Sequence, residues 1–257
     1  MDNTLTVYII NLKTSVNRYN HMQSILSPYD FIKPQFIEAV DGRKLTDEEL
    51  KQKFNREETI KQYGRVLNLG EIGCVLSHRK CYAELLASDA PFALVLEDDI
   101  EIVRKLSIIK EVELNNILTN DFPVILFLSG DYWFYKRSNI VDVYEAVGSY
   151  AYIINRKAAK AILSIRCPYN VADDWACYKK LGIKYKAFYP YLIDANTEMN
   201  KYPSDVKQDH WGNKKKLMSK RALFDSYKRG AIKRILAAIG HSEAKIRVID
   251  NKVVSVR

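Results

Sequence analysis

Short, nearly uninterrupted apolar runs recur along the chain and restrict its possible folds more than any other feature. The clearest are LTVYIINL at residues 5–12, FALVL at 92–96 and VILFL at 124–128. Runs of this length, rich in β-branched residues, predict strands that are buried on both faces. Segments of helical character lie between them, and this alternation predicts an α/β fold with a mainly parallel sheet flanked by helices.

Local signals position the other elements. Thr46 followed by Glu49 forms a capping box that predicts the start of a helix, and Gly182 predicts the end of a short helix over 171–182. The sequence has no internal repeat and no convincing Gly-rich phosphate loop. Further strands are predicted at 34–40, 149–155 and 183–190, and helices at 17–27, 71–88 and 156–165.

Charge is distributed unevenly along the chain. Residues 211–257 hold 13 Lys and Arg against 3 Asp and Glu, a formal charge of +10, and residues 1–210 carry −1. The total of +9 therefore belongs to the tail. We expect a near-neutral folded domain over 1–210 and a basic helical tail over 211–257. Because the basic residues are confined to the tail, no nucleic-acid partner is expected.

The four cysteines, at positions 74, 81, 167 and 177, form no CxxC pair, and their spacing suits no zinc framework. We expect reduced, mostly buried thiols. The N-terminus has no basic segment before its apolar run, and no run reaches the ~18 residues of a membrane span. The sequence therefore predicts a cytoplasmic protein.

Three consecutive carboxylates, Glu97, Asp98 and Asp99, directly follow the predicted strand at 92–96. Ligands of open α/β sheets bind beyond the carboxyl ends of the strands. A divalent cation would neutralise carboxylates clustered there, and oxygen ligands suit Mg²⁺ or Mn²⁺, which would bring a phosphate-bearing substrate. The alternative is that the three acids only begin a solvated loop.

Four stretches occur in order and at suitable intervals: YIINLKTSVNRY at 8–19, LNLGEIGCVLSHRKCY at 67–82, LVLEDDIEI at 94–102 and DDW at 173–175. Together they resemble glycosyltransferase family 25, whose bacterial members build lipo-oligosaccharide and whose animal relatives modify collagen. The resemblance covers residues 5 to about 200, and the tail lies outside it. It implies a GT-A-type, Rossmann-like catalytic domain, a nucleotide-sugar donor, most often UDP-galactose, and transfer with inversion.

Under this resemblance the three acids correspond to a DxD metal motif. Glu97 and Asp99 stand at alternate positions of a segment expected to be extended, so both can face one site. We expect Asp99 to ligate Mn²⁺ or Mg²⁺, with Glu97 as a second ligand; alternatively, Glu97 or Asp98 binds ribose hydroxyls. His210 is the candidate third ligand, and its alternative is a histidine on a surface loop. Such a cation stabilises a diphosphate leaving group.

An inverting transfer also needs a general base for the acceptor hydroxyl. The resemblance implies a carboxylate on the acceptor side, for which Asp174 is the first choice and Asp173 the second. Acids also suit the first turn of a helix without any catalytic role. The neighbouring Trp175 is expected to stack on a sugar face.

Asn11 and Arg18 lie in the region where the resembling family holds its nucleotide. The Arg18 guanidinium can contact diphosphate or uracil, although an exposed helix arginine fits the position equally well. The further substrate-binding candidates are Asn68, Gly70, Ser77 and His78. For Asn68 and Gly70 the alternative is that they only start a helix. For Ser77 and His78 the alternative is an ordinary place inside a helix.

Three classes of function remain open. The favoured one is metal-dependent, β-1,4-galactosyltransferase-like transfer from UDP-galactose to a terminal sugar of a lipo-oligosaccharide, with a glucosyltransferase of the same family as the near alternative. A metal-dependent phosphodiesterase or nucleotide-sugar hydrolase would use the same acids for attack by water. A basic nucleic-acid-binding protein is the third.

The tail has apolar residues at mostly helical intervals, interspersed with basic ones. This basic amphipathic pattern suits an anionic membrane surface. We expect a peripheral enzyme on the inner face of the cytoplasmic membrane, close to a lipid-linked acceptor; alternatively, the apolar stripe packs on the body. The stripe comprises Leu217, Phe224, Tyr227, Ala231, Ile235 and Ile239.

Overall fold

A computed structural model describes residues 4–195 and 217–242, together with the backbone of 246–249 and 252–255. Its strands are β1 (Leu5–Asn11), β2 (Ile32–Glu38), β3 (Phe92–Glu97), β4 (Ile100–Ile102), β5 (Val124–Phe127), β6 (Asp131–Phe134), β7 (Ile140–Val147), β8 (Ala151–Asn155), β9 (Lys184–Phe188), β10 (Ile193–Ala195), β11 (Ile246–Ile249) and β12 (Lys252–Ser255). Its α-helices are α1 (Val16–Leu26), α2 (Asp47–Lys53), α3 (Arg56–Tyr63), α4 (Leu69–Ala87), α5 (Ile108–Glu111), α6 (Leu114–Leu118), α7 (Arg156–Leu163) and α8 (Lys220–Ala238). Short 3-10 helices cover Gly42–Lys44 and Trp175–Leu181.

Eight strands form one central sheet in the order β2-β1-β3-β8-β5-β9-β7-β6. β1 pairs in parallel with β2 and β3, and β5 pairs in parallel with β9. β8 and β7 run antiparallel to both of their neighbours. Six of the eight strands therefore point the same way, which confirms the predicted α/β class with a mainly parallel sheet flanked by helices.

Both faces of the sheet are buried. Tyr8 and Ile10 of β1 lie in the core on the face covered by α4 and α7, and Val7 and Ile9 lie in the core on the face covered by α1. Alternating side chains of a strand point to opposite faces, so an uninterrupted apolar run is what a doubly covered strand needs. The continuous runs in the sequence thus have their physical cause here.

The predicted strand at 34–40 is wrong by two residues at each end, because β2 begins at Ile32. β2 lies at the edge of the sheet, where a proline costs no ladder hydrogen bond, so Pro34 sits inside the strand and not at its start. The predicted capping box at Thr46 is confirmed, and Gly182 ends its short helix in the left-handed conformation.

The predicted tail helix is present as α8, and one side of it is ion-paired to the body. Arg229 lies 3.5 Å from Asp174, and Lys233 lies 3.2 Å from Glu145 of β7. At the start of α8 the Ser219 backbone N–H donates to a carbonyl of α3 at 2.8 Å. Within the described part of the chain, none of the helices combines the length and apolar character that crossing a membrane requires.

Candidate active site

The ends of two neighbouring strands bring the first predicted residues together. β1 and β3 are parallel with Ile10 opposite Glu97, so the residues that follow each strand meet beyond the same edge. Asn11 donates from Nδ2 to Asp98 Oδ2 at 2.7 Å, and Arg18 of α1 donates to Asp98 Oδ1 at 2.9 Å. Both carboxylate oxygens of Asp98 are therefore committed to the protein. Burial raises the pKa of Asp98, and Arg18 offsets part of that effect.

Asp99 differs from Asp98 in having a bare oxygen. Its Oδ2 lies 3.3 Å from the Arg18 guanidinium, but its Oδ1 is buried and has no hydrogen-bond partner among the described residues. Burial, and then the charge of Glu97, raises the pKa of Asp99 to about 7. A buried carboxylate oxygen without a donor is costly, and a cation would remove that cost.

The segment itself is not extended, which corrects the expectation for it. Residues 98 and 99 form a tight turn between β3 and β4. Glu97 and Asp99 nevertheless remain close enough for the charge of one to raise the pKa of the other. The turn, and not strand alternation, brings the two carboxylates to one place.

Glu97 is held by two donors. His78 Nε2 lies 3.3 Å from Glu97 Oε1, and the Ser149 hydroxyl donates to the same oxygen. Burial alone would raise the pKa of Glu97, but His78 and Ser149 more than offset it and the pKa is lowered. His78 is buried, and its Nδ1 lies 2.8 Å from the hydroxyl of Tyr152. His78 thus orients Glu97 from inside the core.

Cys74 is a residue that the sequence reasoning missed. It stands four residues before His78, on the same face of α4, and one ligand atom each of Cys74, His78 and Glu97 lies within 4.8 Å of the others. Burial, followed by the charges of Glu97, Asp173 and Asp99, keeps the pKa of the Cys74 thiol well above its ordinary value. Glu97 and Asp99 of one acidic segment and Asp173 of the other therefore lie near the same point of α4. The Cys-x₃-His spacing was the available signal.

Two further candidates, Asn68 and Ser77, have structural contacts at the start and in the middle of α4. Asn68 Oδ1 accepts from the Glu71 backbone N–H, and Glu71 Oε2 accepts from the Asn68 backbone N–H, both at 2.8 Å. This capping box gives Asn68 the helix-starting role that was the alternative to donor contact. Ser77 donates to the Gly73 carbonyl at 2.7 Å and accepts from the Val40 backbone N–H at 2.8 Å. It ties the loop after β2 to α4.

An open cleft of about 620 Å³ lies between α4 and this loop. A Cβ on Gly73 would stand 2.4 Å from the Val40 carbonyl oxygen, so the loop can approach the helix only at a glycine. The cleft also has lining residues that the sequence reasoning did not single out: Asp41, Gly42, Arg43 and Cys74. Six of the predicted substrate-binding residues line it: Arg18, Gly70, Ser77, His78, Glu97 and Asp98.

Trp175 does not have its expected role. Only 1% of its surface is exposed, and its ring packs edge-on against Phe127 and Tyr152, 5.1 and 4.8 Å away between centroids. Its indole N–H donates to the Gly148 carbonyl at 2.8 Å. A ring enclosed in the core cannot stack on a sugar, so that expectation is wrong. The aromatic side chain beside the carboxylates is the half-buried Tyr150.

Asp174 and Asp173 differ in how the protein holds them. Asp174 Oδ2 accepts from the Tyr63 hydroxyl at 2.6 Å and from the Cys177 thiol at 3.0 Å, and Arg229 lies 3.5 Å from Oδ1. Asp173 forms no ion pair with any described residue. Burial, and then the charges of Asp174 and Glu97, raises the pKa of Asp173 to about 6. His210, the predicted third metal ligand, lies outside the described residues.

Comparison with known proteins supplies the family. Residues 4–177 match the model of "Glycosyltransferase family 25 (LPS biosynthesis protein)". A "Glycosyltransferase 25 family member" of Aedes aegypti is 36% identical over 97 residues, and human "Procollagen galactosyltransferase 2" is 35% identical over 99 residues. Both alignments cover 37% of this chain, but only 16% and 15% of the relative.

Two further similarities were found. A rat relative, 33% identical over 99 residues, which are 37% of this chain and 17% of the relative, is named "Probable inactive glycosyltransferase 25 family member 3". A solved putative glucose-1-phosphate thymidylyltransferase from Bacillus anthracis covers 82% of this chain and 98% of its own, with 8% identity and a TM-score of 0.40, which decides nothing about function. The family match covers well over half of the sequence, with both acidic segments inside it. The chain belongs to glycosyltransferase family 25.

Proposed function

We propose that this protein is a metal-dependent, inverting glycosyltransferase that moves galactose from UDP-galactose to a terminal sugar of a lipo-oligosaccharide. One observation carries the proposal: the buried Oδ1 of Asp99, at the meeting point of two strand ends, has no hydrogen-bond partner among the described residues. In a metal-dependent transfer from a nucleotide sugar, a cation at such a point would balance the charge of the diphosphate. The family description and the name of the human relative support a sugar transfer, the first naming LPS biosynthesis and the second galactose.

The acids fit a hard divalent cation. Asp99 offers a bare carboxylate oxygen, and Glu97 stands beside it with its pKa lowered. Carboxylate oxygens of this kind suit Mn²⁺ or Mg²⁺. Asp99 and Glu97 would hold the ion, with His210 proposed as a third ligand. A bound divalent cation supplies charge stabilisation to the leaving diphosphate.

Two arginines of the cleft could bind the nucleotide-sugar donor. Arg18 lines the cleft while it donates to Asp98 and Asp99, so its guanidinium is fixed next to the proposed cation site. Arg43, on the opposite loop, is oriented by Asp41 at 2.7 Å. Planar guanidinium groups bind phosphate oxygens in a fork. We assign the cleft between them to the UDP moiety.

Asp173 replaces Asp174 as our first choice for the general base. Its raised pKa of about 6 suits a group that must accept a proton near neutral pH. Asp174 already accepts from Tyr63 and Cys177 at Oδ2, and its Oδ1 faces Arg229 at 3.5 Å, so both oxygens have protein contacts. Asp173 would take the proton of the acceptor hydroxyl as that oxygen attacks the sugar. Tyr150 would offer the ring face for which Trp175 was expected.

A donor and acceptor screen tests the proposal. The full chain, Mn²⁺ and either UDP-galactose or UDP-glucose are incubated with and without lipo-oligosaccharide, and UDP release and the acceptor mass are measured. We expect acceptor-dependent UDP release with UDP-galactose and the gain of one hexose on the acceptor. UDP release that ignores the acceptor would indicate a nucleotide-sugar hydrolase, and a preference for UDP-glucose would replace the donor. Absence of turnover with every pair would contradict the proposal.

A further inference from the structure

The helix α8 has two unlike faces. Toward the body it buries Ala222 and Leu236, and Lys233 lies 3.2 Å from Glu145 and 4.3 Å from the centre of the Trp133 ring. These contacts fix the rotation of the helix about its axis. The opposite face is therefore held outward.

The outward face is apolar. Phe224 is 68% exposed and Ile235 is 62% exposed, and Leu217, Tyr227 and Ile239 are also mostly exposed. These five make up almost half of the large apolar side chains that are exposed in the described part of the chain. At 100° per residue, positions 224, 231 and 235 fall within a narrow stripe along α8, and Leu217 lies just before the helix begins. Exposed apolar residues scattered singly need no explanation, but a stripe of them does.

Basic side chains flank this stripe on both sides. The sequence has six Lys and Arg in α8 and one acid, Asp225. Arg229 and Lys233 face the body and are ion-paired there. The other four are exposed, and none of them pairs with a described acidic residue: Lys220, Arg221, Lys228 and Arg234. The basic side chains of α8 that pair with no described acid thus lie around the apolar stripe.

We infer that the outward face of α8, together with Leu217 just before it and Ile239 just after it, docks onto an anionic lipid surface. A helix that inserts apolar side chains between lipid headgroups and surrounds them with cations is the common form of an interfacial anchor. A symmetric contact with a second copy would bring the same basic flanks together, which like-charge repulsion opposes. Nucleic acid would use the cations but leave the apolar stripe in water.

The docked helix would be joined to the acidic segment of the site. Arg229, on the inner face, lies 3.5 Å from Asp174, which is adjacent to Asp173. This link orients the body on the lipid surface. The inference does not depend on the proposed reaction, because lipid binding is measured without donor or acceptor.

Vesicle flotation of the full chain tests the inference. The probes are vesicles of phosphatidylcholine alone and of phosphatidylcholine with phosphatidylglycerol, at low and at high salt. We expect binding to the anionic vesicles only, weakened by salt. Phe224→Ser with Ile235→Ser is expected to lower the affinity by roughly tenfold or more, since large apolar groups leave the lipid. Lys220→Ser with Lys228→Ser is expected to cost roughly fivefold per residue.

Matched controls separate this face from general surface effects. Phe122→Ser removes another exposed aromatic, and Lys33→Ser with Lys105→Ser removes two exposed lysines of the body. The controls are expected to bind vesicles like the unmodified chain, and circular dichroism checks that every variant is folded. Equal losses in controls and α8 variants would overturn the inference. So would an α8 variant that turns a dimer into a monomer in light scattering without changing vesicle binding.

Discussion

The two acidic segments at the site, Glu97–Asp99 and Asp173–Asp174, are built on the same plan. In each, one aspartate is occupied by the protein: Asp98 by Asn11 and Arg18, and Asp174 by Tyr63 and Cys177. For the other aspartate of each segment, burial and neighbouring charges raise the pKa to about 7 in Asp99 and to about 6 in Asp173. The comparison teaches that adjacent, identical side chains can differ in how many protein contacts hold them, and we propose that the less occupied member of each segment serves the ligands.

The largest expected effect on activity comes from a substitution in the Asp173–Asp174 segment. Asp173→Asn should lower kcat by roughly 10²–10⁴ with little change in donor KM, because a general base acts on the acceptor hydroxyl. Asp174→Asn is its control: we expect kcat within a few-fold of the unmodified protein but a lower melting temperature, since the Tyr63 and Cys177 hydrogen bonds weaken. Steady-state kinetics and thermal melts measure both. A large loss of kcat in Asp174→Asn, with kcat retained in Asp173→Asn, would make Asp174 the general base.

The pH profile sharpens that contrast. A base must be deprotonated to act, so activity should rise with pH through about 6, the pKa of Asp173 in the folded protein. Above that pH the limb should be flat until another group titrates. A profile of kcat against pH that shows no rise between roughly pH 5 and 7 would remove Asp173 from the proton transfer.

In the Glu97–Asp99 segment, Asp99→Asn should lower turnover by roughly 10²–10³, the size of one lost electrostatic contact in a dry site. The variant should still fold. Without metal at pH 8, Asp99→Asn should melt higher than the unmodified protein, because it removes the charge of a buried carboxylate whose Oδ1 has no donor among the described residues and whose Oδ2 has only the 3.3 Å contact with Arg18. Asp98→Asn should melt lower, because its side-chain N–H group would face the Asn11 donor.

The sign of the stability effect follows from the direction of the pKa. Asp99 titrates in the folded protein at about 7, above its ordinary value. Its contribution to stability is therefore complete at acid pH and is lost as pH rises through 7. The gap in melting temperature between Asp99→Asn and the unmodified protein should widen from pH 5 to pH 8. A gap that does not change with pH would contradict the raised pKa.

A smaller effect is expected at the cleft. Gly73→Ala should destabilise the protein by roughly 1–3 kcal/mol, a typical cost of overpacking, because the new Cβ would meet the Val40 carbonyl. Gly230→Ala is a matched control, since a Cβ there meets only the end of the Arg234 side chain at 4.0 Å and alanine favours helix. Chemical denaturation measures both. A harmless Gly73→Ala would mean that the loop can retreat from α4.

Much of the fold could be predicted from the sequence, because continuous apolar runs and capping boxes are local signals. β1, β3 and the capping box at Thr46 all arise in this way. The antiparallel direction of β8 could not be predicted, since an apolar run is the same read either way. The turn at residues 98–99 is likewise set by contacts distant in sequence, above all those of Asn11 and Arg18 with Asp98.

The residue types of the candidate site could be predicted from the sequence, but which of these residues the protein itself holds by contacts could not. Which of two adjacent aspartates is occupied depends on Tyr63 and Arg229, which lie far from Asp174 in the sequence. The burial of Trp175 depends on Phe127 of β5 and Tyr152 of β8, which are distant in sequence. Local sequence holds no trace of these partners.

Mn²⁺ binding measured by electron paramagnetic resonance tests the central claim most directly, because it reads the site without turnover. The full chain at pH 8 with UDP is titrated as the unmodified protein and as Asp99→Asn, with Asp174→Asn as the control. We expect the unmodified protein and Asp174→Asn to bind Mn²⁺ alike and Asp99→Asn to bind at least roughly tenfold more weakly, as for a lost ion contact. Unchanged binding by Asp99→Asn, together with loss of binding in Cys74→Ser, would place the ion at Cys74, His78 and Glu97 and contradict the account.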